Sequence, residues 1–237
     1  LKIYIKTLGC EKHTVDAQFA AGLLAKEGHT LTDDPGDADA MLVVTCGFIN
    51  DAKAQSINTI IELGELKTER QKLYVSGCLS QRYADQLSSL MPEVDGFFGV
   101  NDYDKLPAML GRSGFDPFVS AAGTIYDELG PRLTKGSLTP WTAPLKIAEG
   151  CNNICTYCII PFIRGKYRSR RPEAVLAEAR QLAEEGVKEL VVIAQDVTAY
   201  GCDLGKKNML PELLHDLCRI DGIEWIRLMY CYEAEIT

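Results

Sequence analysis

The chain has 237 residues, 46% of them hydrophobic and 24% charged, with a formal net charge of −8. These are the fractions of an ordinary globular protein with room for one large domain or two small ones, and the acidic balance argues against broad, non-specific nucleic-acid binding, which needs a cationic surface. No apolar run reaches membrane-spanning length and the N-terminus carries no signal-peptide pattern, so the expected location is cytoplasmic with no membrane partner, and the nine cysteines point to metal ligation rather than to disulfides.

Alternating strands and helices open the chain. Apolar, β-rich runs predict strands at 2–8, 41–46, 73–76 and 94–100, and helical patterns fill 15–27, 51–67 and 81–90. Strands alternating with helices imply a parallel sheet covered on both faces, hence an α/β, doubly wound N-terminal domain over 1–112. Cys10 follows the first strand, Cys46 ends the second and Cys78 follows the third. The carboxyl ends of such strands share one edge, where ligands bind, and the helix N-termini there favour anionic species. Gly9, Gly47 and Gly77 adjoin the three cysteines and allow close backbone approach. The pattern predicts a [4Fe-4S] cluster held by Cys10, Cys46 and Cys78; the other reading is three small core residues, since free cysteine is often buried.

Frequent Gly and Pro without a long helical period mark 113–143 as an interdomain linker, with a short strand near Phe118. A strand at 145–148 then delivers the chain into GCNNICTYC, which places Cys151, Cys155 and Cys158 in a C-x3-C-x2-C triplet. Three thiolates this close can hold three irons of a [4Fe-4S] cube and leave the fourth iron open to a small molecule. Structural zinc is the competing reading, but zinc sites usually pair C-x2-C with a second Cys or His pair, and His13, His29 and His215 all lie away from the triplet. The basic run Arg164, Lys166, Arg168, Arg170 and Arg171 is either a solvated charge run or a source of one or two cations that neutralise the cluster or an acidic ligand.

A helix at 172–185, begun by Pro172 and stopped by Gly186, leads to an apolar strand at 189–194 that closes on Gln195 and Asp196. A helix at 210–220 and a strand at 224–232 complete a βαβαβ pattern over 144–237. In parallel barrels the functional groups gather at the carboxyl ends of the strands, where the metal loop, Gln195, Asp196 and the 230–232 segment fall.

The triplet, with Tyr157 just before its last cysteine, resembles the radical S-adenosylmethionine (SAM) superfamily. The chain as a whole resembles the radical SAM methylthiotransferases. The resemblance is carried by LGC at 8–10, TCGFI at 45–49, SGCL at 76–79, LKIAEGC at 145–151 and CTYCIIP at 155–161. It continues through RGKYRSR at 164–170, IAQDVTAYG at 193–201 and IRLMYCY at 226–232. It implies that 144–237 begins a radical SAM (β/α) partial barrel. The rest of that barrel and a small C-terminal TRAM domain are expected to be absent from these 237 residues, which alone would then not turn over. It also implies two [4Fe-4S] clusters and two SAM per reaction: one SAM methylates a sulfur species at the first cluster, and the other is cleaved at the second to a 5′-deoxyadenosyl radical that takes a hydrogen from the acceptor carbon.

Gly47 and Phe48 resemble the branch that modifies the β-carbon of an aspartate in ribosomal protein S12, rather than the branch that acts on adenosine in tRNA. An electron donor such as flavodoxin or ferredoxin and a sulfur donor are the further implied partners. Tyr157 is the expected contact to the SAM adenine, Gln195 and Asp196 are expected to contact SAM or order its site, and Arg170 to meet the SAM carboxylate. Their plain alternatives are packing, a strand-end cap and a surface charge. A radical SAM enzyme of other chemistry would not need Cys10, Cys46 and Cys78, and a non-catalytic iron–sulfur electron carrier would not bind SAM. The chain departs from the family at Glu11–Lys12–His13, where Pro-Lys-Asn is usual, and at Glu233, where Pro is usual.

Overall fold

A computed structural model describes residues 1–110, 132–134, 140–206 and 209–232. The described residues form two compact units: 1–110, 132–133 and Phe162–Arg164 in the first, and 134, 140–161, 165–206 and 209–232 in the second. Of the linker expected at 113–143, only 132–134 and 140–143 are described, and the strand near Phe118 lies outside the described residues.

In the first unit, β1 (Lys2–Thr7), β2 (Thr30–Thr32), β3 (Ala40–Thr45), β4 (Lys72–Gly77) and β5 (Gly96–Phe97) form one parallel sheet in the order β2-β1-β3-β4-β5. The central strand β3 is buried along its whole length, as the continuous apolar run AMLVVT requires of a strand covered on both faces. Its side chains alternate. Met41 and Val43 pack with Ile60 and Leu63 of α2 (Asn50–Leu66) and with Leu79 and Leu87 of α3 (Cys78–Leu90). Ala40, Leu42 and Val44 pack with Ala17, Ala20 and Leu24 of α1 (Glu11–Lys26) and with Leu106 of α4 (Leu106–Met109). This is the doubly wound sheet expected, in a strand order whose reversal falls between β1 and β3, the position where such sheets bind ligands.

Three expectations need adjustment. The strand at 94–100 contracts to Gly96–Phe97, and β2 is additional: it is a three-residue edge strand, too short to leave a period in the sequence. The helices also start earlier than their apolar periods suggest. Cys10 is the N-cap of α1, and α3 begins on Cys78 itself.

The second unit contains β6 (Thr142–Lys146), β7 (Ala148–Glu149), α5 (Ile160–Arg164, whose last three residues group with the first unit), β8 (Arg168–Ser169), α6 (Pro172–Glu184), β9 (Glu189–Ile193), α7 (Leu210–Leu217) and β10 (Trp225–Leu228). The parallel order is β10-β9-β6. Val175, Ala179 and Leu182 of α6 and Leu213 and Leu217 of α7 cover Leu145, Leu190 and Val192 of the sheet. β7 and β8 form an antiparallel pair that draws together the two ends of the cysteine loop. The strand expected at 224–232 is shorter, ending at Leu228, and Tyr230 lies in the left-handed region at φ 66°. No helix among the described residues is long and apolar enough to cross a membrane.

Candidate functional site

Strand register sets up the site of the first unit. Thr7 lies opposite Val44 and Thr45 opposite Gly77, so β1, β3 and β4 end nearly level. The three cysteines predicted to converge leave that edge one after another. Close approach of their loops is visible in the glycines. A Cβ on Gly9 would fall 2.8 Å from Cys46 Cβ, and one on Gly77 would fall 2.3 Å from the Thr45 carbonyl oxygen. Gly77 is also held at φ +102°, which a side chain rarely adopts.

Cys46 and Cys78 are buried and Cys10 is exposed. Ser56 fixes the Cys46 backbone from both sides: its hydroxyl accepts from the Cys46 N–H and donates to the Cys46 carbonyl, each at 3.1 Å. His13, on the first turn of α1, is buried with Nε2 3.2 Å from Cys78 Sγ and Nδ1 3.9 Å from Cys10 Sγ. Arg164, within the same unit, donates from Nη2 to Asp16 Oδ2 at 3.1 Å and to Cys78 Sγ at 3.6 Å. Burial pushes the Cys78 thiol up, and the guanidinium of Arg164 opposes that shift.

In the second unit the triplet sits on the loop between β7 and α5, and all three thiols are partly exposed. Gly150 introduces the loop at φ +77°, and a Cβ there would meet the Lys166 carbonyl oxygen at 2.1 Å. The Cys151 N–H donates to the Gly165 carbonyl at 3.1 Å, and the Cys158 N–H to the Cys155 carbonyl at 3.0 Å. Asn152 accepts from the Tyr167 N–H, and Asn153 donates to Asp196 at the end of β9. Burial raises the Cys151 thiol, while the Asn153 backbone N–H pulls the other way.

The expected cofactor-binding residues are placed as follows. Tyr157 is 85% exposed, and its phenol lies beside Cys155, whose charge and hydrogen bond push its pKa up. Gln195 donates from Nε2 to Glu149 Oε1 at 2.6 Å. Asp196 is buried and accepts from Asn153, from the Thr198 N–H and from the Thr198 hydroxyl. Arg170 is buried rather than on the surface, and its Nη1 donates to Glu178 at 2.5 Å and to the Lys146 carbonyl at 2.9 Å.

Sequence reasoning missed Lys146 and Glu149, a buried ion pair at 2.9 Å under the loop, and it missed the Asp16–Arg164 pair. The first had a signal, two opposite charges three residues apart in an apolar strand. The second, 148 residues apart in sequence, had none. Among the described residues, no three His, Cys, Asp or Glu side chains meet on a single-ion site. Cys10, Cys46 and Cys78 leave three neighbouring strand ends and Cys151, Cys155 and Cys158 share one loop, and three thiolates are the donor set that an iron–sulfur cube with one open iron takes.

Residues 2–99 match the family described as uncharacterized protein family UPF0004, and residues 145–232 match the radical SAM superfamily. Over its full length the chain is 47% identical to the ribosomal protein uS12 methylthiotransferase RimO of Clostridium tetani and 48% identical to that of Clostridioides difficile, covering 54% of each. It thus spans about half the length of the curated relatives it matches. Among solved structures it resembles the radical SAM methyltransferase TsrM from Kitasatospora setae, with cobalamin and a [4Fe-4S] cluster bound (TM-score 0.60, 12% identity, 91% of this chain and 50% of that one). It also resembles the cobalamin-dependent radical enzyme OxsB (TM-score 0.58, 13% identity, 94% of this chain and 38% of that one). At such identities the likeness is one of fold.

Proposed function

The chain belongs to the radical SAM methylthiotransferase family, and from that premise we propose that it carries the two iron–sulfur sites of an enzyme that adds a methylthio group to the β-carbon of an aspartate in ribosomal protein S12. The observation that carries the proposal is the presence of two separate three-cysteine sets, each at the carboxyl edge of a parallel sheet. One set is enough for radical chemistry; a second calls for a second use, and delivery of sulfur is the one this family offers.

Cys10, Cys46 and Cys78 would hold one cluster, and Cys151, Cys155 and Cys158 the other. Such clusters supply what side chains cannot, an electron delivered to a bound sulfonium, which activation of an inert C–H bond requires. The protein's own task is position. The hydrogen bond from Asn153 to Asp196 and the β7–β8 pair hold the second triplet over the strand ends. Tyr157 beside Cys155 is the proposed adenine contact, and Gln195 and Asp196 are the proposed SAM-facing residues at the end of β9. Arg170, held by Glu178 and the Lys146 carbonyl, is proposed to order that floor from beneath, or to meet the SAM carboxylate if the Glu178 contact opens. The proposed setting is the cytoplasm, with a flavodoxin or ferredoxin as electron donor and a separate sulfur donor.

The test offers ribosomal protein S12 and unmodified tRNA together to the anaerobically reconstituted protein, extended to the full length of its relatives, with SAM and reductant, and locates the methylthio group by mass spectrometry. A modified aspartate peptide supports the proposal. A modified adenosine transfers the chain to the tRNA branch. Deoxyadenosine without either product reopens the substrate.

A further inference from the structure

His13 stands on the first turn of α1, three residues after Cys10, and its ring lies between two of the three thiols of the first unit. Nε2 is 3.2 Å from Cys78 Sγ and Nδ1 is 3.9 Å from Cys10 Sγ. The ring is buried, and a Cβ on Gly9 would fall 2.6 Å from Nδ1, so backbone packing holds it as well. We propose that His13 is a positioning residue for the cluster of the first unit, donating an imidazole N–H to the Cys78 sulfur and thereby making that cluster easier to reduce. The inference rests on the reading that Cys10, Cys46 and Cys78 hold a cluster.

Helix geometry puts the ring there. Cys10 caps α1 and His13 follows three residues later, so the two side chains stand on the same side of the first turn. The distances favour donation over ligation. In a cube each iron takes one protein ligand, so a ligating His13 nitrogen would sit on a different iron from Cys78, well beyond hydrogen-bond reach of its sulfur. At 3.2 Å the nitrogen is instead at a distance typical of a bond to that sulfur. A neutral imidazole carries one N–H, and placing it on Nε2 leaves Nδ1 as an acceptor. Arg164 Nη2 approaches the same sulfur at 3.6 Å, and Asp16 balances its charge. Donors to a ligand sulfur draw electron density from it and stabilise the reduced, more negative cluster, which raises the potential.

The test isolates this cluster by replacing Cys151, Cys155 and Cys158 with Ala, then compares His13, His13→Ala and His13→Gln after anaerobic reconstitution. Iron content is measured first, and the midpoint potential is followed by electron paramagnetic resonance. The expected result is a loaded His13→Ala protein whose reduction equilibrium is about tenfold less favourable, 59 mV for a one-electron couple, with much of that recovered by His13→Gln, which keeps an N–H donor. Equal midpoints in His13 and His13→Ala overturn the inference. If His13→Ala does not retain iron, the parent labelled with 15N-histidine decides: weak nitrogen coupling to the reduced cluster supports donation, whereas no coupling, or the strong coupling of a direct ligand, overturns it. A triple variant that binds no iron with His13 in place removes the cluster reading itself and the inference with it.

Discussion

Asn153 Nδ2 donates to Asp196 Oδ2 across 2.9 Å, which fastens the middle of the second cysteine loop to the end of β9. Asp196 also takes the Thr198 N–H and hydroxyl on its other oxygen, so one buried carboxylate satisfies three donors. Asp196→Ala leaves those donors without their acceptor, at a cost of about 1–3 kcal/mol. The expected outcome is a lower denaturant midpoint and faster loss of iron from Cys151, Cys155 and Cys158 on desalting. Unchanged stability together with unchanged iron retention would show that the cysteines alone order the loop.

Two glycines separate backbone strain from crowding. Gly77 and Gly186 share a left-handed φ, +102° and +96°, but a Cβ on Gly186 meets nothing within 4 Å while one on Gly77 meets the Thr45 carbonyl at 2.3 Å. Gly186→Ala should therefore cost only the conformational penalty, roughly 1–2 kcal/mol, with no change in iron content. Gly77→Ala should cost more and also displace Cys78, the next residue, so that the first unit loads poorly. Thermal unfolding and iron analysis of the two variants side by side check this; equal losses in both would mean that the crowding at Gly77 relaxes freely.

Beneath the second triplet, Lys146 Nζ and Glu149 Oε2 form a buried pair at 2.9 Å, and Glu149 Oε1 accepts from Gln195 and from the Gly150 N–H. Removing one partner takes from the other the opposite charge it meets at 2.9 Å. Glu149→Ala is expected to destabilise by about 3–5 kcal/mol, and the double variant Lys146→Met/Glu149→Leu to recover a good part of that, because replacing a buried pair by apolar groups is often neutral. A double-mutant cycle in urea reads the coupling. Additive losses would mean that the two charges do not act as a pair.

Much of this arrangement is legible in the sequence. Each cysteine of the first set follows a strand whose apolar run announces it, and parallel strand ends must share an edge, so the placement of Cys10, Cys46 and Cys78 along one edge of the sheet follows from pattern alone. The triplet at 151–158 is local and needs no fold to be read. The losses have distinct causes. β2 and the β7–β8 pair are only two or three residues long and carry no detectable period. Arg170 looked like part of a basic surface run, yet its partner Glu178 is on the following helix, and only the fold shows that both are buried. His13 had a faint signal, three residues after a helix-capping cysteine, but its distance to Cys78 depends on how closely β1 and β4 present their loops.

Asp95 predicts an acid limb in the stability of the first unit. Burial pushes its carboxyl up, but the hydrogen bond from Lys67 Nζ, then the Leu73 N–H and Lys72 Nζ, outweigh burial and hold it below the ordinary carboxylate range. A carboxyl whose folded pKa is depressed binds protons less readily than in the unfolded chain. Its stabilising contribution is complete above the unfolded value, about 3.9, and is lost as pH falls through the lower folded value. Asp95→Asn keeps the shape and removes the charge. The variant should be less stable than the parent at neutral pH, and the gap should begin to close below about pH 4, where the unfolded chain's carboxyl takes up its proton, and go on closing as pH falls toward the depressed folded value. Urea unfolding of both proteins from pH 7 down to pH 3 measures it. A gap that stays constant across that range would mean that Asp95 contributes through its shape and hydrogen bonds alone, and that its charge, set between Lys67 and Lys72, is screened by solvent.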